Sequence, residues 1–414
     1  MRVSTLLRSL AGLCRATVIT GWVLDRSQDR PELVVKVRVR AGRARSCGRC
    51  GQRARGYDQG GGLRRWRHVD LGFARCVLEG PAPRVACGQC GPTVAEVPWA
   101  RHDTTFTEAF EDVVVWDAVR SNKNTAAERH QVSWRATDGI CERVLAEAMD
   151  RVDLLDGLIA IAIDEVKSKK GQRYLTVVSD HFGGRVVWVA EGRSKAVVKT
   201  FFDALGAERA AELEIVTTDG AEWIRTVVAD EAPNAETCLD TYHVVSWATK
   251  AVDEVRRQLW RHLGSGAEGK AVKGMRWLLI RNWANLSRDQ KRTIRDLETS
   301  NRRLFRAWQL KEELVDIFSM PIIQARRAID DWLHYASRSR LEPFVKLAKT
   351  IRRYRDSIEA TIEWGFTNGI AEANNSVIGR IRRNANGFHN PQSFITMIML
   401  GRGGLAPDLP WTTQ

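Results

Sequence analysis

Two largely apolar runs near the middle of the chain each end in a carboxylate. Residues 158–163 are continuously apolar and lead into Asp164, and residues 213–218 lead into Asp219. Short apolar, β-branched runs bounded by polar residues are typical of strands that are buried on both faces. The pattern therefore predicts two buried strands, each with an aspartate at its tip.

The segments around these runs predict the rest of an α/β core. They indicate strands at 171–179, 185–190 and 236–239, a turn at 181–184, and an amphipathic helix at 194–205. The resulting order is three meander strands, helix, strand, helix, strand, and then a helix that bears Glu372. This order resembles a ribonuclease H-like catalytic core, in which the strands that carry Asp164 and Asp219 are neighbours.

Residues 244–361 interrupt that core. Trp, Leu, Arg and Lys recur there at helical spacing without an alternating strand pattern, which predicts an all-helical insertion. Six tryptophans fall in it: Trp247, Trp260, Trp277, Trp283, Trp308 and Trp332. For most of them we expect packing in a helical core rather than stacking on nucleic-acid bases.

Three carboxylates from distant segments suggest a metal site. Asp164, Asp219 and Glu372 would form an oxygen-only pocket of the kind that suits Mg²⁺ or Mn²⁺. Two such ions can clamp the attacking and leaving oxygens of a phosphodiester. We predict that Asp164 bridges both ions, that Asp219 holds one, and that Glu372 holds the other.

Polar residues flank two of these carboxylates. Asn374 and Asn375 follow Glu372 and run into a basic stretch with Arg380 and Arg383, which predicts DNA contacts. A capped, solvated helix is the alternative for that stretch. Asp240 and His243 are expected near the triad, where they would position a phosphate or an end nucleotide; a hydrogen-bonded pair that only stabilises the fold is the alternative.

Four cysteines form two matched pairs near the N-terminus. Cys47 and Cys50, and likewise Cys87 and Cys90, lie in C-G-x-C-G motifs separated by 36 residues. Two such knuckles complete a tetrahedral Cys₄ site for structural zinc. The alternative is four unrelated thiols in a reducing compartment. The intervening residues predict a β-excursion, with Cys76 as an ordinary buried thiol.

Residues 107–149 are predicted to be helical. A helix at 107–119 is followed by a short helix at 124–129, a turn at 131–133, and a longer helix that Ser133 caps. Short helix, tight turn and longer helix are typical of a helix-turn-helix, which places Trp134, Arg135 and Thr137 on the turn that would meet DNA. A plain helical hairpin is the alternative.

The charge distribution fits a polyanionic partner. The net charge is +14, and residues 1–100 contain 18 Lys and Arg against 7 Asp and Glu. Seventeen of those 18 are Arg, whose planar fork matches phosphates and guanine edges. No run of about 20 apolar residues occurs, so no membrane span is expected. We expect a cytoplasmic, nucleoid-associated protein of a bacterial-type cell.

These segments together resemble the ISL3 family of insertion-sequence transposases, which carry a DDE catalytic core. The likeness covers nearly the whole chain and includes the paired cysteines, the helix-turn-helix, the strand ending in Asp164-Glu165, and Asp240-Thr-Tyr-His243. Its most specific parts are Asn-Gly-x-x-Glu-x-x-Asn-Asn at 368–375 and the trailing Gly387-Phe388. Two departures are Ala373, where Gly is common, and Gly-Ala-Glu-Trp after Asp219, where a bulky or basic residue is usual.

The resemblance implies strand cleavage and strand transfer at terminal inverted repeats, with Asp164, Asp219 and Glu372 as the catalytic triad and two Mg²⁺ or Mn²⁺ ions per active site. The implied partners are double-stranded DNA, as terminal repeats and as target, and a second copy of the chain in a homodimer on DNA. A domesticated or inactive regulator is one rival, against which the intact triad argues. A junction-resolving nuclease is another, against which the zinc and helix-turn-helix modules argue.

The predicted class is therefore an α/β chain with a ribonuclease H-like core, a helical insertion, and N-terminal zinc-binding and helix-turn-helix modules. The predicted boundaries are a zinc-binding module at 1–100, a helix-turn-helix segment at 101–156, the first part of the core at 157–243, the insertion at 244–361, and the final catalytic helix with the tail at 362–414.

Overall fold

The computed structural model describes residues 3–27, 29–41, 45–169 and 173–409. These residues form two compact units. The first contains the chain up to Val152, residues 383–386 and the segment from Gln392 onward; the second contains Asp153–Arg382 and Gly387–Pro391. The segment predicted as one piece at 362–414 is therefore divided between the two units, which differs from the predicted boundary.

The first unit begins with a helix and two small sheets. Helix α1 (Val3–Leu10) precedes β1 (Thr17–Asp25), β2 (Glu32–Val39), β3 (Arg55–Asp58), β4 (Leu63–Leu71), β5 (Ala74–Pro81), β6 (Arg84–Cys87) and β7 (Gly91–Val94). One sheet has the order β1-β2-β5-β4, and the other has the order β3-β6-β7. The antiparallel pair of β4 and β5 lies between the two cysteine pairs, so the predicted β-excursion is confirmed.

Alternating side chains build the core of the larger sheet. In β2, Val35 and Val37 are buried while the residues between them are exposed or half-buried, because successive side chains of a strand point to opposite faces. Leu78 of the neighbouring strand joins this cluster, and the rings of Trp66 and Trp99 meet edge to face with centroids 5.4 Å apart. Aromatic pairs in this arrangement add stability beyond their buried area.

Three helices follow the sheets. They are α2 (Glu108–Arg120), α3 (Lys123–His130) and α4 (Trp134–Arg151). The side chain of Ser133 accepts a hydrogen bond from the backbone N–H of Ala136 and so caps α4, as predicted. Gln131 adopts a left-handed conformation, with φ at 52°, and ends α3. The predicted short helix, turn and longer helix are confirmed.

A buried ion pair connects the last helix, α17 (Pro391–Arg402), to these three. Lys123 is 3% exposed and pairs with Asp138, and its Nζ donates to Ser393 Oγ at 2.7 Å. The hydroxyl of Ser393 in turn donates to Asp138 at 2.8 Å. The charge of Lys123 is therefore compensated by Asp138, which is close in sequence. Lys123 also donates a hydrogen bond to Ser393, which lies 270 residues away.

The second unit contains a five-stranded sheet. Its strands are β8 (Ala160–Lys169), β9 (Arg173–Asp180), β10 (Val186–Glu191), β11 (Ile215–Thr218) and β12 (Glu236–Leu239), in the order β10-β9-β8-β11-β12. The first three form the predicted antiparallel meander, and β11 runs parallel to both β8 and β12. Gly171 and Gln172, predicted to open the second strand, lie outside the described residues.

The helices of the second unit include those of the predicted insertion. They are α5 (Lys195–Leu205), α6 (Ala207–Ala211), α7 (Glu222–Glu231), α8 (Thr241–Leu263), α9 (Ala267–Gly274), α10 (Arg276–Ile280), a 3-10 turn at Trp283–Asn285, α11 (Arg288–Ser300), α12 (Arg302–Ile317), α13 (Ile322–Arg338), α14 (Glu342–Arg353), α15 (Arg355–Trp364) and α16 (Gly369–Asn384). Residues 244–361 contain helices and no strand, which agrees with the predicted insertion.

The tryptophans of the insertion differ in burial. Trp308 and Trp332 are buried in its core, and Trp247 packs against the same cluster. Trp277 is 66% exposed and is therefore an exception to the core packing that was expected for most of the six. Its environment therefore differs from that of the buried tryptophans.

We expect the Lys123–Asp138 pair to hold the helices of the first unit together. Replacing one partner of a buried pair leaves an uncompensated charge and costs about 3–5 kcal/mol, whereas replacing both is often close to neutral. Lys123→Met should therefore destabilise α2–α4 more than the double variant Lys123→Met, Asp138→Leu. Hydrogen exchange of peptides from these helices measures the difference. If the double variant is as unstable as the sum of the two single variants, the pair is not coupled.

Candidate functional site

Asp164 and Asp219 lie side by side in the second unit, where two strands diverge. Strands β8 and β11 pair in parallel from Ala160 and Ile215 as far as Ile163 and Thr218, and the two aspartates follow directly. Asp219 is at the end of its strand, as predicted. Asp164 is not, because β8 continues to Lys169 along β9. The extension of β8 contains polar residues, so the apolar pattern did not predict it as a strand. Its backbone nevertheless pairs with β9.

The environment of Asp164 raises its pKa. Burial disfavours the charged carboxylate and, with the nearby charge of Asp219, brings the pKa to about 6. Two donors act in the opposite direction: the backbone N–H of Glu165 at 2.7 Å from Oδ1, and Nδ2 of Asn375 at 2.6 Å from Oδ2. The carboxyl group is therefore held in a fixed orientation, and His243 is a further neighbour that lowers its pKa.

Helix α16 presents one face to Asp164. Asn368, just before the helix, donates to Asp164 Oδ2 at 3.5 Å, and Asn375 donates to the same oxygen. Glu372 lies four residues after the first and three before the second, so it shares their side of the helix. Its side chain is exposed. The fold thus brings Glu372 to the helix face that contacts Asp164, while its carboxylate points into solvent-accessible space.

The three carboxylates do not form a closed cluster. Across residues 3–27, 29–41, 45–169 and 173–409, only one set of three or more His, Cys, Asp or Glu has its ligand atoms within 4.8 Å of one another, and it consists of cysteines. Asp164 and Asp219 interact electrostatically, but Asp164, Asp219 and Glu372 are not all within that distance of one another.

Asn374 has a structural position rather than an exposed one. It is fully buried, and its Nδ2 donates to Ser179 Oγ at 2.8 Å. We therefore correct the expectation that Asn374 contacts DNA. Asn374 packs against β9, and the next residue of α16, Asn375, contacts Asp164. Arg380 is exposed on α16, and Arg383 is exposed and belongs to the first unit.

Asp240 and His243 form a pair at the start of α8. Asp240 accepts a hydrogen bond from the backbone N–H of Tyr242, and its Oδ2 lies 3.1 Å from His243 Nδ1. This contact raises the pKa of His243, and Asp219 and Asp164 raise it further. The pair therefore caps the helix and also places an imidazole in the field of the two aspartates.

Arg193 is a neighbour that the sequence did not reveal. Its Nε lies 2.8 Å from Oε2 of Glu165, and its guanidinium stacks on the ring of Tyr174. Burial raises the pKa of Glu165 to about 7, although Arg193 opposes this shift. Side chains of successive strand residues point to opposite faces, so Glu165 lies on the other face of the sheet from Asp164. In the sequence, only the presence of Glu165 directly after Asp164 indicated that an ion pair with a basic residue could form here.

The four predicted cysteines come together in the first unit. The Sγ atoms of Cys47, Cys50, Cys87 and Cys90 all lie within 4.8 Å of one another. The glycines after each second cysteine, Gly51 and Gly91, have φ of 68° and 71°, conformations that favour glycine.

The electrostatics of this cluster suit a metal. Backbone N–H groups of Cys90 and Gln89 lower the pKa of Cys87 to about 7, which favours the thiolate that binds metals. Cys76 lies outside the cluster, and burial raises its pKa to about 12, so it is the buried thiol that we predicted. The donor set and geometry match a structural Cys₄ zinc site.

The leading turn of α4 is only partly available to a partner. Trp134 and Arg135 are exposed. Thr137 is fully buried, and its hydroxyl donates to the carbonyl of Ser133 at 3.2 Å. We therefore correct the expectation that Thr137 contacts DNA, because a fully buried side chain cannot reach the edge of a base.

Comparisons with protein families match all three regions. A DDE-type ISL3 model, described as a transposase, matches residues 161–398. The helix-turn-helix domain of transposase family ISL3 matches residues 95–145, and the zinc finger of the IS204/IS1001/IS1096/IS1165 transposases matches residues 43–90. The first match alone covers more than half of the chain.

The chain belongs to the ISL3 family of transposases.

Curated relatives agree with this membership. The transposase for insertion sequence element IS1557 of Mycobacterium tuberculosis is 40% identical over 434 residues, which cover 99% of this chain and 98% of that protein. The transposase for insertion sequence element IS1001 of Bordetella parapertussis is 28% identical over 356 residues, or 85% of this chain and 87% of that one.

Family membership assigns the two modules of this ISL3 transposase. The paired cysteines belong to a zinc ribbon, and α2–α4 fall in a helix-turn-helix domain, so the transposase binds DNA. The DDE domain implies DNA cleavage and transfer with a divalent metal. Among the helices described, none combines the length and the hydropathy that a membrane crossing requires.

We expect one zinc ion per chain at the cysteine cluster. Cys87→Ser should reduce bound zinc well below one equivalent and increase hydrogen exchange in β3, β6 and β7, because metal binding and folding are coupled at such sites. Cys14→Ser is the matched control, since Cys14 is an exposed thiol outside the cluster. Elemental analysis that finds no zinc in the unaltered protein, or equal zinc in both variants, would contradict the assignment.

Proposed function

We propose that this ISL3 transposase cleaves DNA at the terminal inverted repeats of its insertion sequence and transfers the cleaved strands to target DNA. The observation that carries the proposal is the juxtaposition of Asp164 and Asp219 where β8 and β11 diverge. Two neighbouring half-buried carboxylates raise the free energy of the folded protein, and such arrangements are typical of functional sites.

We also propose that the five-stranded sheet is a ribonuclease H-like core. The meander β8–β10 followed by parallel strands supports this assignment, as does the position of the aspartates on two adjacent central strands. Helices α8–α15 then form the insertion between β12 and the helix that bears Glu372.

The residues present fit a divalent metal. Asp164 and Asp219 supply hard oxygen ligands. Oδ1 of Asn375, whose Nδ2 donates to Asp164, is buried without a hydrogen-bond donor. We propose that Asp164, Asp219 and Glu372 hold two Mg²⁺ or Mn²⁺ ions, with the exposed Glu372 completing the ligand set when metal and DNA bind. When bound, such ions lower the pKa of an attacking water or 3′-hydroxyl and stabilise the leaving oxygen.

The other residues of the site orient these groups. Asn368 and Asn375 fix the rotamer of Asp164 through two hydrogen bonds to Oδ2, and the backbone N–H of Glu165 donates to Oδ1. His243 has a raised pKa, so its protonated form is favoured and can contact a phosphate of the DNA backbone.

Recognition of the DNA ends is assigned to the first unit. We propose that the exposed Trp134 and Arg135 read the terminal repeats, that the basic zinc-binding segment contacts phosphates, and that Arg380 and Arg383 contact the DNA backbone. Two ends must be held at once, so we propose a homodimer on DNA.

We expect Asp164→Asn, Asp219→Asn and Glu372→Gln each to reduce metal-dependent cleavage of DNA bearing the element's own ends by at least about 100-fold, the scale for the loss of one electrostatic contact to a transition state. Binding of those ends should be retained. Glu222→Gln is the matched control, an exposed carboxylate three residues after Asp219. Glu372→Gln is the most informative variant: normal cleavage by it would remove Glu372 from the site.

We expect Trp134→Ala and Arg135→Ala to weaken binding to terminal-repeat DNA more than to unrelated duplex, by about 5- to 150-fold for a lost base contact. The full-length chain should be used, because Ser393 completes the packing of Lys123. Arg151→Ala is the control, since it lies about 24 Å away at the other end of α4. Equal losses on both DNAs in a binding titration would assign these residues to phosphate contact only.

A further inference from the structure

A group of stacked tryptophans and cations lies on the helical insertion. We call it the tryptophan surface; it consists of Trp260, Lys273, Arg276, Trp277, Trp283, Lys291 and Arg295. Lys273 Nζ lies 4.9 Å from the ring centroid of Trp260, and the Arg276 guanidinium lies 5.2 Å from that of Trp277. Two cations, Lys291 at 5.1 Å and Arg295 at 5.5 Å, stack on Trp283.

The central tryptophan of this surface is open to solvent. Trp277 is 66% exposed, in contrast to Trp332, which is 2% exposed in the core of the same insertion. Trp260 and Trp283 are half-buried. Helices α9 and α10 both pack on α8, and α10 contacts α11, so the three indoles are carried by adjoining elements. A broad apolar ring therefore remains free beside several positive charges.

Most cations of this region lack acidic partners. Residues 260–295 contain nine Lys and Arg against two Asp and Glu. Arg261 and Arg276 have carboxylates within 4.0 Å, at Glu254 and Asp253. Over the described part of the chain, the remaining seven form no ion pair: Lys270, Lys273, Arg281, Arg288, Lys291, Arg292 and Arg295.

Some other arginines of the insertion do have acidic partners. Arg326 pairs with Glu359 and Glu363, and Arg355 pairs with Asp330 and Glu359. Uncompensated like charges repel one another and disfavour the compact state. A polyanion that covers the tryptophan surface would remove this repulsion, so its charge is complementary to phosphates.

We propose that the tryptophan surface binds a DNA strand whose bases are unpaired. The unpaired cations contact its phosphates, and a base stacks on Trp277, since every base has a π-face that an exposed indole can cover. In a closed duplex the base faces are covered by their neighbours, so the exposed ring gains contact only where strands have separated. The inference rests on the proposed function for the choice of DNA as the partner. It goes further because it specifies that the bound strand is unpaired.

The test uses full-length protein without Mg²⁺ or Mn²⁺ and two DNA probes. One is a blunt duplex, and the other is the same duplex with a mixed-sequence single-stranded tail of about ten nucleotides, within the site size of such surfaces. A 2-aminopurine in the tail reports stacking. We expect tighter binding of the tailed probe, with a change in 2-aminopurine fluorescence on binding.

The variants separate stacking from charge. Trp277→Ala should weaken binding of the tailed probe by about 10-fold and leave the blunt duplex unchanged, whereas Trp277→Phe should retain most of the affinity. Lys291→Gln combined with Arg295→Gln should reduce the slope of log affinity against log salt on the tailed probe by about 1.4, which corresponds to two phosphates of a single strand.

Trp364→Ala is the matched control. Trp364 is 48% exposed in the same unit, but its Nε1 donates to Glu236, so its surroundings are acidic. This variant should bind both probes like the unaltered protein. Equal binding of tailed and blunt probes by the unaltered protein would overturn the inference, as would an equal loss on both probes in Trp277→Ala. Cleavage tests of Asp219→Asn report on the proposed function independently, because the binding test involves no cleavage.

Discussion

The burial of the Asp164 carboxyl group beside Asp219 is the constraint around which the second unit is organised. The folded chain holds a proton at Asp164 more tightly than the unfolded chain does, since its pKa is raised from 3.8 to about 6. The raised pKa therefore opposes folding. Its unfavourable contribution to the free energy of folding grows as the pH rises from 3.8 to about 6 and is constant above that pH, at about 3 kcal/mol. The hydrogen bonds from Asn375 and from the Glu165 backbone offset part of this cost.

That constraint explains why a long helical insertion is compatible with the site. The two aspartates are positioned by β8 and β11, which pair directly with each other in the sheet. Helix α16 returns after the insertion, and Asn374 fixes its docking on β9. The buried amide serves to position the helix, and the exposed Glu372 on the same helix is left free to move. In the proposed metal site, a rigid pair of carboxylates and an adjustable third one would accommodate both free and DNA-bound states.

The sequence predicted those features that depend on local pattern. The C-G-x-C-G pairs predicted the cysteine cluster, and Ser133 predicted the start of α4, because knuckles and caps are set by a few consecutive residues. Burial could not be predicted in the same way. Thr137 and Asn374 are polar residues in polar segments, and they are buried only because remote segments pack over them. The continuation of β8 beyond Asp164 depends likewise on pairing with β9 rather than on its own apolar content.

The burial of Lys123 beside Ser393 has a consequence for how the protein is made. A ribosome synthesises the helix-turn-helix early, but helix α17, which supplies Ser393 and the buried residues Phe394 and Leu400, is among the last segments to emerge. The DNA-reading unit therefore completes its packing only after every carboxylate of the candidate site has been translated. A chain that ended before α16 would lack both α17 and the helix that bears Glu372. A chain that ended between these two helices would leave Lys123 without one of its partners, Ser393. Synthesis as far as α17 is thus a condition for complete packing of the first unit.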